Sequence, residues 1–178
     1  MERESLLQQI FDSCVYPCVG EGLKRRMKSA RQPGPAAEGL LNILVAADNI
    51  RAELEAACEA FSVTHAQYNV LRILRGVYPG GHPRCEIAQR LIERAPDVTR
   101  LIDRLEVRGL VERSRAKEDR RLSLTRITTE GLELLQKIDP QLQAIESAYA
   151  QRLSSSEWRA LSTFCERLYH DEQEARHA

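Results

Sequence analysis

Basic residues crowd one short stretch of the chain. The nine positions from Arg113 to Arg121 hold five basic residues and two acidic ones. Over residues 122–125, directly after them, leucine alternates with polar residues, and this period of two is typical of a β-strand. Neighbouring positive charges repel one another unless an anion neutralises them, and the DNA backbone supplies such anions. The stretch therefore predicts a two-stranded hairpin whose basic tip binds DNA.

A predicted helix directly before this hairpin carries a second basic surface. From Val98 to about Val107 the apolar residues recur every three or four positions, and Gly109 suits a left-handed position after the helix end. Asp97 offers an amino-terminal cap. Arg100 and Arg104 lie one turn apart, as expected of side chains that contact bases or phosphates. The outward residues of this segment are Asp97, Thr99, Arg100, Asp103, Arg104 and Arg108.

The same charges have a second interpretation. Oppositely charged residues three or four positions apart, such as Arg100 and Asp103, also decorate ordinary solvated helices. The helix alone does not separate the two interpretations, but the helix and the basic hairpin together favour DNA binding. An alternative from another functional class is a winged helix used as a protein-interaction module. Salt separates these alternatives, because DNA binding weakens steeply as the salt concentration rises.

The elements around the basic helix predict its architecture. A helix opens with a capping box, Thr64 to Gln67, and a short helix follows Pro83. A tight corner at Ala95–Asp97 separates that short helix from the basic one. This order, ending in the hairpin, is the layout of a winged helix-turn-helix over about residues 64–127. The predicted fold class is mainly α with a small β-hairpin wing.

Long amphipathic helices are predicted on both sides of this winged module, at about 36–61 and 128–176. The small module offers no core for their apolar stripes, so they are expected to bury each other across a two-fold axis; a monomeric helical cap is the alternative. Two-fold symmetry predicts a palindromic site with half-sites about 34 Å apart. Residues 1–35 are predicted to form an N-terminal helical appendage with a basic segment, and 36–178 the main domain.

Three motifs resemble the signature of MarR-type transcriptional regulators. They are Val98–Arg113 (VTRLIDRLEVRGLVER), Glu118–Arg121 (EDRR) and Ile127–Gly131 (ITTEG). The resemblance covers roughly residues 40–170, and residues 1–35 exceed the usual family length. It implies a homodimer of winged helices, joined through the first and last helices, that represses its target. It also implies a pocket for a small, often aromatic or phenolic, ligand that releases the DNA.

The resemblance further implies roles for single residues. By match of position, Thr99, Arg100 and Arg104 would contact DNA from the recognition helix. Arg121 would enter the minor groove from the wing, and Asp119 would aim it. Guanidinium groups favour narrow, strongly negative minor grooves, which agrees with that assignment. The complete set of predicted DNA-binding residues is Thr99, Arg100, Arg104, Arg108, Arg115, Lys117, Asp119, Arg120 and Arg121.

Two kinds of sensor are open alternatives. Candidates to line a ligand pocket are His65, Tyr68, Arg72 and Trp158, each equally compatible with packing or with a surface position. The second alternative is a thiol-based redox-sensing regulator that uses Cys14 and Cys18. Tyr16 lies between these cysteines, and the basic residues at 24–26 would favour a reactive thiolate. Cysteine is also a common small buried hydrophobe, so a packing role stays open.

Charge and motif content restrict the functional class. The 178 residues include 26 basic and 26 acidic side chains, so the net charge is zero. The charge is nevertheless segregated, with nine basic against six acidic residues over 94–121 and five against nine over 128–178. The sequence contains no Gly-rich phosphate loop, serine nucleophile elbow or paired-carboxylate motif. We therefore expect neither an enzyme nor a bound cofactor.

Cysteine usage and the first residues indicate the compartment. Five cysteines are an odd number in a chain long enough to fold without disulfides, so free thiols are expected. His82 and Cys85 lack the second pair of ligands that a zinc site needs, so no metal is expected. The first residues lack the order of a signal peptide, and no run of about 18 apolar residues exists. The prediction is a cytoplasmic protein without a membrane partner.

Overall fold

The structure is a computed structural model that describes residues 19–27, 34–92, 97–115 and 123–169. By contact clustering the chain divides into two compact units, 1–51 and 52–178. The boundary between these units falls inside a long helix, Pro35–Glu59. The division expected from the sequence, at residue 35, stays a prediction. No helix within the described residues is both long and apolar enough to cross a membrane.

The first unit contains helix α1 (Val19–Met27) and most of helix α2 (Pro35–Glu59). Helix α1 includes Gly20 and Gly22 and lies within the predicted N-terminal helical appendage. Its Leu23 is buried, and Arg26 Nη2 donates a hydrogen bond to Asn49 Oδ1 at 3.2 Å. These tertiary contacts outweigh the low helix propensity of glycine, which costs about 1 kcal/mol per residue.

The second unit is the winged helix-turn-helix, and the predicted fold class is confirmed. It begins within α2 and continues through one short strand, a hairpin and five helices. In chain order these are α3 (His65–Arg75), β1 (His82–Pro83), α4 (Arg84–Arg90), α5 (Val98–Val107), β2 (Val111–Arg115), β3 (Ser123–Ile127), α6 (Thr129–Ala150) and α7 (Ser155–Tyr169).

The three strands form an antiparallel sheet in the order β1-β3-β2. The hairpin pairs Val111 with Ile127 at its base. Strand β1 was not predicted, because two residues are too few to show a period. Strand β1 pairs with β3, and His82 lies opposite Thr125. Just before β1, the backbone at Gly81 lies very close to β3. A Cβ at Gly81 would lie 2.5 Å from the carbonyl oxygen of Thr125, so only glycine permits this approach.

The core of this unit lies where α3, α4, α5 and α6 meet one face of the sheet. Tyr68 and Val70 of α3, Val111 and Ile127 of the sheet, and Leu110 are among its buried members. Its largest fully buried aliphatic side chains are Leu71, Leu74, Ile87, Ile102, Leu105, Leu135 and Ile138. The winged module therefore has its own hydrophobic core, and this core fixes the position of α5.

Side-chain caps define the helix ends, and the predicted box at Thr64 and the predicted left-handed Gly109 are confirmed. Thr64 and Gln67 form a reciprocal capping box, with hydrogen bonds of 3.2 Å to the Gln67 amide and 3.0 Å to the Thr64 amide. Ser154 and Glu157 do the same at the start of α7, with distances of 3.3 and 2.7 Å. Gly109, with φ +70°, takes the left-handed position after α5. Local side-chain chemistry therefore defines where these helices begin and end.

Candidate DNA-binding interface

Helix α5 turns one face into the core and the opposite face outward. Val98, Ile102 and Leu105 are buried, whereas Arg100 and Arg104 are exposed. Thr99 shares this outward side and is also exposed. Because the buried positions follow the helical period, Thr99, Arg100 and Arg104 lie on the outward side of α5, which also carries the exposed Val107. The three recognition-helix residues named from the sequence therefore lie on one accessible surface.

Asp97 organises the first turn of α5. One carboxylate oxygen accepts a hydrogen bond from the Arg100 backbone amide at 3.0 Å, which confirms the predicted cap. The other oxygen lies 3.0 Å from Arg100 Nε, so the same carboxylate also holds the arginine side chain. That side chain remains 78% exposed. The pairing expected within an ordinary solvated helix, Arg100 with Asp103, is not the one found.

Arg113 joins the wing to α5. It lies on β2 opposite Thr125, and its guanidinium makes ion pairs with Asp103 and, at 2.8 Å, with Glu106. Arg113 is one of the five basic residues of 113–121 that were expected to need an external anion. Its charge is instead neutralised inside the protein, because two carboxylates of α5 face it. Of the other predicted wing residues, Arg115 is exposed at the end of β2, and Lys117, Asp119, Arg120 and Arg121 lie outside the described residues.

The opposite side of α5 is held by Arg108, its C-terminal cap residue. The guanidinium donates to the carbonyl oxygen of Ser62 and, at 3.4 Å, to that of Phe61, which follow the end of α2. The predicted DNA contact of Arg108 stays a prediction, and its side chain already has two partners within the protein. Arg104, by contrast, has no ion pair among the described residues, and it borders an open groove of about 470 Å³.

Three of the four ligand candidates lie together on α3. The rings of His65 and Tyr68 stack at 6.2 Å, and the Arg72 guanidinium lies 5.8 Å from the centre of the Tyr68 ring. Tyr68 is buried, and its hydroxyl donates to Asp139 Oδ1 of α6 at 2.8 Å. Burial, together with the hydrogen bond and negative charge of Asp139, raises the pKa of Tyr68 to about 12. Arg75 also pairs with Asp139, so this carboxylate ties α3 to α6.

Trp158 is separate from that cluster. Its Nε1 donates to the carbonyl oxygen of Ala150 at 3.4 Å, a local contact at the corner between α6 and α7. No hydrogen bond or ring pair within the described ranges joins it to His65, Tyr68 or Arg72. The structure thus assembles three of the predicted pocket residues and gives the fourth a neighbouring-helix partner.

The buried thiol of Cys58 is not activated. Burial, and secondarily the charge of Glu55, raises the pKa of Cys58 to about 11, which disfavours the reactive thiolate. Cys14 and Cys18, the predicted redox pair, lie outside the described residues. His82 Nδ1 lies 3.4 Å from Glu86 Oε2, rather than forming a pair with Cys85. Within the described parts of the chain, no three His, Cys, Asp or Glu side chains come together as metal ligands do.

Sequence reasoning missed how closely α6 approaches the end of α5. The Thr128 hydroxyl donates to the Gly109 carbonyl at 2.7 Å and accepts from the Gly131 amide at 3.1 Å. A Cβ at Gly131 would lie 2.3 Å from the carbonyl oxygen of Leu110. Glycine at 131 is therefore required by close backbone approach, a signal that its type could have suggested but not located.

Comparison with known proteins identifies the family. Residues 63–123 match the model of the MarR family. The HTH-type transcriptional regulator PrsX of Escherichia coli is 30% identical over 156 residues, which cover 86% of this chain and 85% of PrsX. The chain belongs to the MarR family of DNA-binding transcriptional regulators. The resemblance of the motifs at 98–131 is thereby confirmed, as is the expectation that this MarR protein is not an enzyme.

Solved MarR-family structures share the fold. A MarR transcription factor from Planctomyces limnophilus is 35% identical, with a TM-score of 0.59, over 76% of this chain and 98% of its own. MepR of Staphylococcus aureus, crystallised as a complex with DNA, is 20% identical, with a TM-score of 0.67, over 79% of this chain and 99% of its own. The second likeness concerns the fold alone.

Proposed function

We propose that the protein is a homodimeric repressor that binds a palindromic operator and is released by a small aromatic or phenolic ligand. One observation carries the proposal: helix α7 leaves its apolar stripe uncovered. Leu161, Phe164 and Leu168 are 39%, 58% and 61% exposed, and no residue of Ser155–Tyr169 is buried. A second copy of the chain is the partner that such a stripe fits, because a two-fold axis sets one stripe against its equal.

The spacing of these side chains suits helix packing. They recur at intervals of three and four, so they lie on one side of α7. Full burial of a large apolar side chain contributes about 1.5 to 3 kcal/mol, and two-fold symmetry counts each one twice. Part of that gain is offset by the cost of association. Helix α2, the first of the long helices, also carries exposed apolar residues, Leu40 and Leu44. Their exposure supports the expected role of the first and last long helices in the dimer.

A dimer would present two α5 helices to one duplex. Helix-turn-helix dimers bind half-sites about one turn of DNA apart, so the operator is expected to be palindromic. Such occupancy of a promoter blocks transcription, which is the basis for assigning repression. The site of action would be the cytoplasm, in contact with the chromosome.

The ligand is assigned to the cluster on α3. Arg72 offers a positive charge beside the Tyr68 ring, and His65 extends the aromatic surface. These groups suit an aromatic molecule that carries a phenolate or carboxylate. Because Asp139 connects Tyr68 to α6, a ligand that changes the position of Tyr68 would also act on α6. That connection is the proposed route from ligand to DNA.

The assembly is tested with the purified full chain. Duplexes are selected from a random library, and the stoichiometry on the selected site is measured by sedimentation equilibrium and by titration of a fluorescent duplex. Two chains per palindromic duplex, with far weaker binding to a single half-site, are expected. A monomeric protein that binds one asymmetric site would contradict the proposal.

Ligand release is tested with two probes, benzoate and phenol, added to the complex with the selected duplex. Release by either probe should be weakened in Arg72→Ala. Arg152→Ala is the matched control, because Arg152 lies over another tyrosine ring, that of Tyr149, at 4.2 Å. Equal release from wild type and Arg72→Ala would exclude this cluster as the ligand site.

A further inference from the structure

The arginines around α5 differ in what holds them. Arg113 is paired with Asp103 and Glu106, and Arg108 donates to backbone carbonyls. Arg104 has no ion pair among the described residues. Arg100 is intermediate: it is held at one atom, Nε, by Asp97 and is otherwise exposed. Four arginines that look equivalent in the sequence therefore present four different sets of free N–H groups to DNA.

The contact at Nε determines what Arg100 offers. A guanidinium has five N–H donors in a planar fork. With the Asp97 carboxylate 3.0 Å from Nε, the two terminal nitrogens at the far end of the fork remain available. Two parallel N–H groups at that spacing match the O6 and N7 acceptors of guanine in the major groove. The ion pair with Asp97 favours part of the Arg100 rotamer range before DNA binds, which reduces the rotamer entropy lost on binding.

We propose that Arg100 reads one guanine in each half-site and that Asp97 positions it to do so. This assignment rests on the proposed operator-binding function. In helix-turn-helix proteins the N-terminal residues of the recognition helix contact base edges, and Arg100 lies in the first turn of α5. Asp97 therefore acts as a positioning residue and Arg100 as a specificity-determining one.

Phosphate is the competing partner for any arginine near DNA. The Asp97 carboxylate disfavours it at Arg100, because a phosphate brought to that guanidinium would also approach a negative charge. Base edges in the major groove carry N–H donors as well as acceptors, so they tolerate a nearby carboxylate. Arg104, one turn later and without a described carboxylate partner, suits a phosphate instead. The geometry thus divides the two residues into a base contact and a backbone contact.

The test compares Arg100→Ala with the matched variant Arg104→Ala. Each protein is used to select duplexes from a random library. Each guanine of the wild-type site is then replaced singly by 7-deazaguanine, which lacks N7, and by adenine in an A·T pair. We expect wild type to lose roughly 5- to 150-fold in affinity at one guanine per half-site when it becomes adenine. Arg100→Ala should lose less than about 2-fold there, whereas Arg104→Ala should keep the full discrimination and bind all duplexes more weakly.

Asp97→Asn isolates the positioning role. Asparagine caps a helix as well as aspartate does, so the thermal unfolding midpoint should not change. Loss of the charge at Nε should reduce discrimination at the same guanine several-fold, while affinity for random duplex rises or stays equal. A site without guanine, or equal sensitivity of wild type and Arg100→Ala at every guanine, would overturn the inference. A single asymmetric site that still shows the Arg100-dependent guanine would instead reject only the palindromic operator.

Discussion

Helices α5 and α7 are both amphipathic, and both begin at a side-chain cap. They differ in which face is exposed: α5 buries its apolar face, whereas α7 leaves its apolar face exposed. Three of the ten residues of Val98–Val107 are buried by the chain itself. Within the fifteen residues of Ser155–Tyr169, none is buried. Apart from Val107, α5 presents polar groups to a partner, because its apolar face is covered. The exposed apolar face of α7 would be stabilised by an apolar partner. The difference supports the proposal that α5 meets DNA and that α7 meets a second copy of the chain.

The largest expected effect concerns the open face. Phe164→Asp should shift the dimer dissociation constant by at least about 100-fold, because it removes apolar burial from both chains and places two unpaired charges in the interface. Sedimentation equilibrium measures this shift. Thr163→Asp is the matched control, since Thr163 lies on another side of α7 and donates to the Arg159 carbonyl. A Phe164→Asp protein that remains dimeric at the wild-type concentration would show that α7 is not the interface.

The covered face should respond through folding. Ile102→Ala, at a fully buried position of α5, should lower the free energy of unfolding by about 2 to 5 kcal/mol. Leu168→Ala, measured by urea denaturation at concentrations where the protein is monomeric, should lower it by far less, because that side chain is already exposed in the single chain. Similar losses for both variants would remove the contrast between the two helices.

The contact between Tyr68 of α3 and Asp139 of α6 is sensitive to high pH. Tyr68 of α3 has a pKa of about 12 in the folded chain, against 10 for an unperturbed tyrosine. Between these values the unfolded chain releases a proton that the folded chain keeps, so stability is present below pH 10 and is lost as the pH rises toward 12.

Wild type should therefore lose roughly 1 kcal/mol more than Tyr68→Phe by pH 11. Urea denaturation of both proteins at a series of pH values between 8 and 11 measures the difference, in which the titration of lysines cancels. A pH-independent difference between the two proteins would place the hydroxyl of Tyr68 in contact with water rather than with Asp139.

The smallest effect on stability is expected at the wing. Arg113→Met should cost no more than about 1 kcal/mol of folding free energy, because its ion pairs are partly exposed. It should still weaken operator binding several-fold, since the wing strand is then no longer held against α5, and the salt slope should not change. Arg115→Met, the exposed control on the same strand, should instead lower the salt slope by about one. A reduced slope in Arg113→Met would show that this residue contacts phosphate.

The sequence was most informative where structure depends on near neighbours. Caps at Thr64, Asp97 and Ser154 and the left-handed Gly109 were predictable, because each partner lies within a few positions along the chain. The helix order and the hairpin followed from hydrophobic period, which also located the outward face of α5.

Other features depended on pairs that only the fold creates. Arg113 meets residues seven and ten positions earlier, and Arg108 meets carbonyl groups 46 and 47 positions away, so the sequence alone could not separate these arginines from Arg100. His65, Tyr68 and Arg72 lie near one another because they share one helix, and their role in ligand binding stays a prediction. Trp158 was a fourth candidate for the same pocket, but it lies on α7, and the sequence contains no information on its distance from α3.

The junction of Thr128 with Gly109 and Gly131 fixes one end of the long helix α6, so a small tilt there moves the other end by several ångströms. Its first turn is fixed at the end of α5 by hydrogen bonds from the Thr128 hydroxyl to the Gly109 carbonyl and from the Thr128 amide to the Leu110 carbonyl, and by close backbone contact at Gly131. The 22 residues of Thr129–Ala150 extend roughly 33 Å from that point at 1.5 Å per residue. A tilt of about 5° at the junction therefore moves the far end by roughly 3 Å. Conversely, for a rigid helix a displacement of a few ångströms at Ala150 corresponds to a tilt of only a few degrees at the junction with α5.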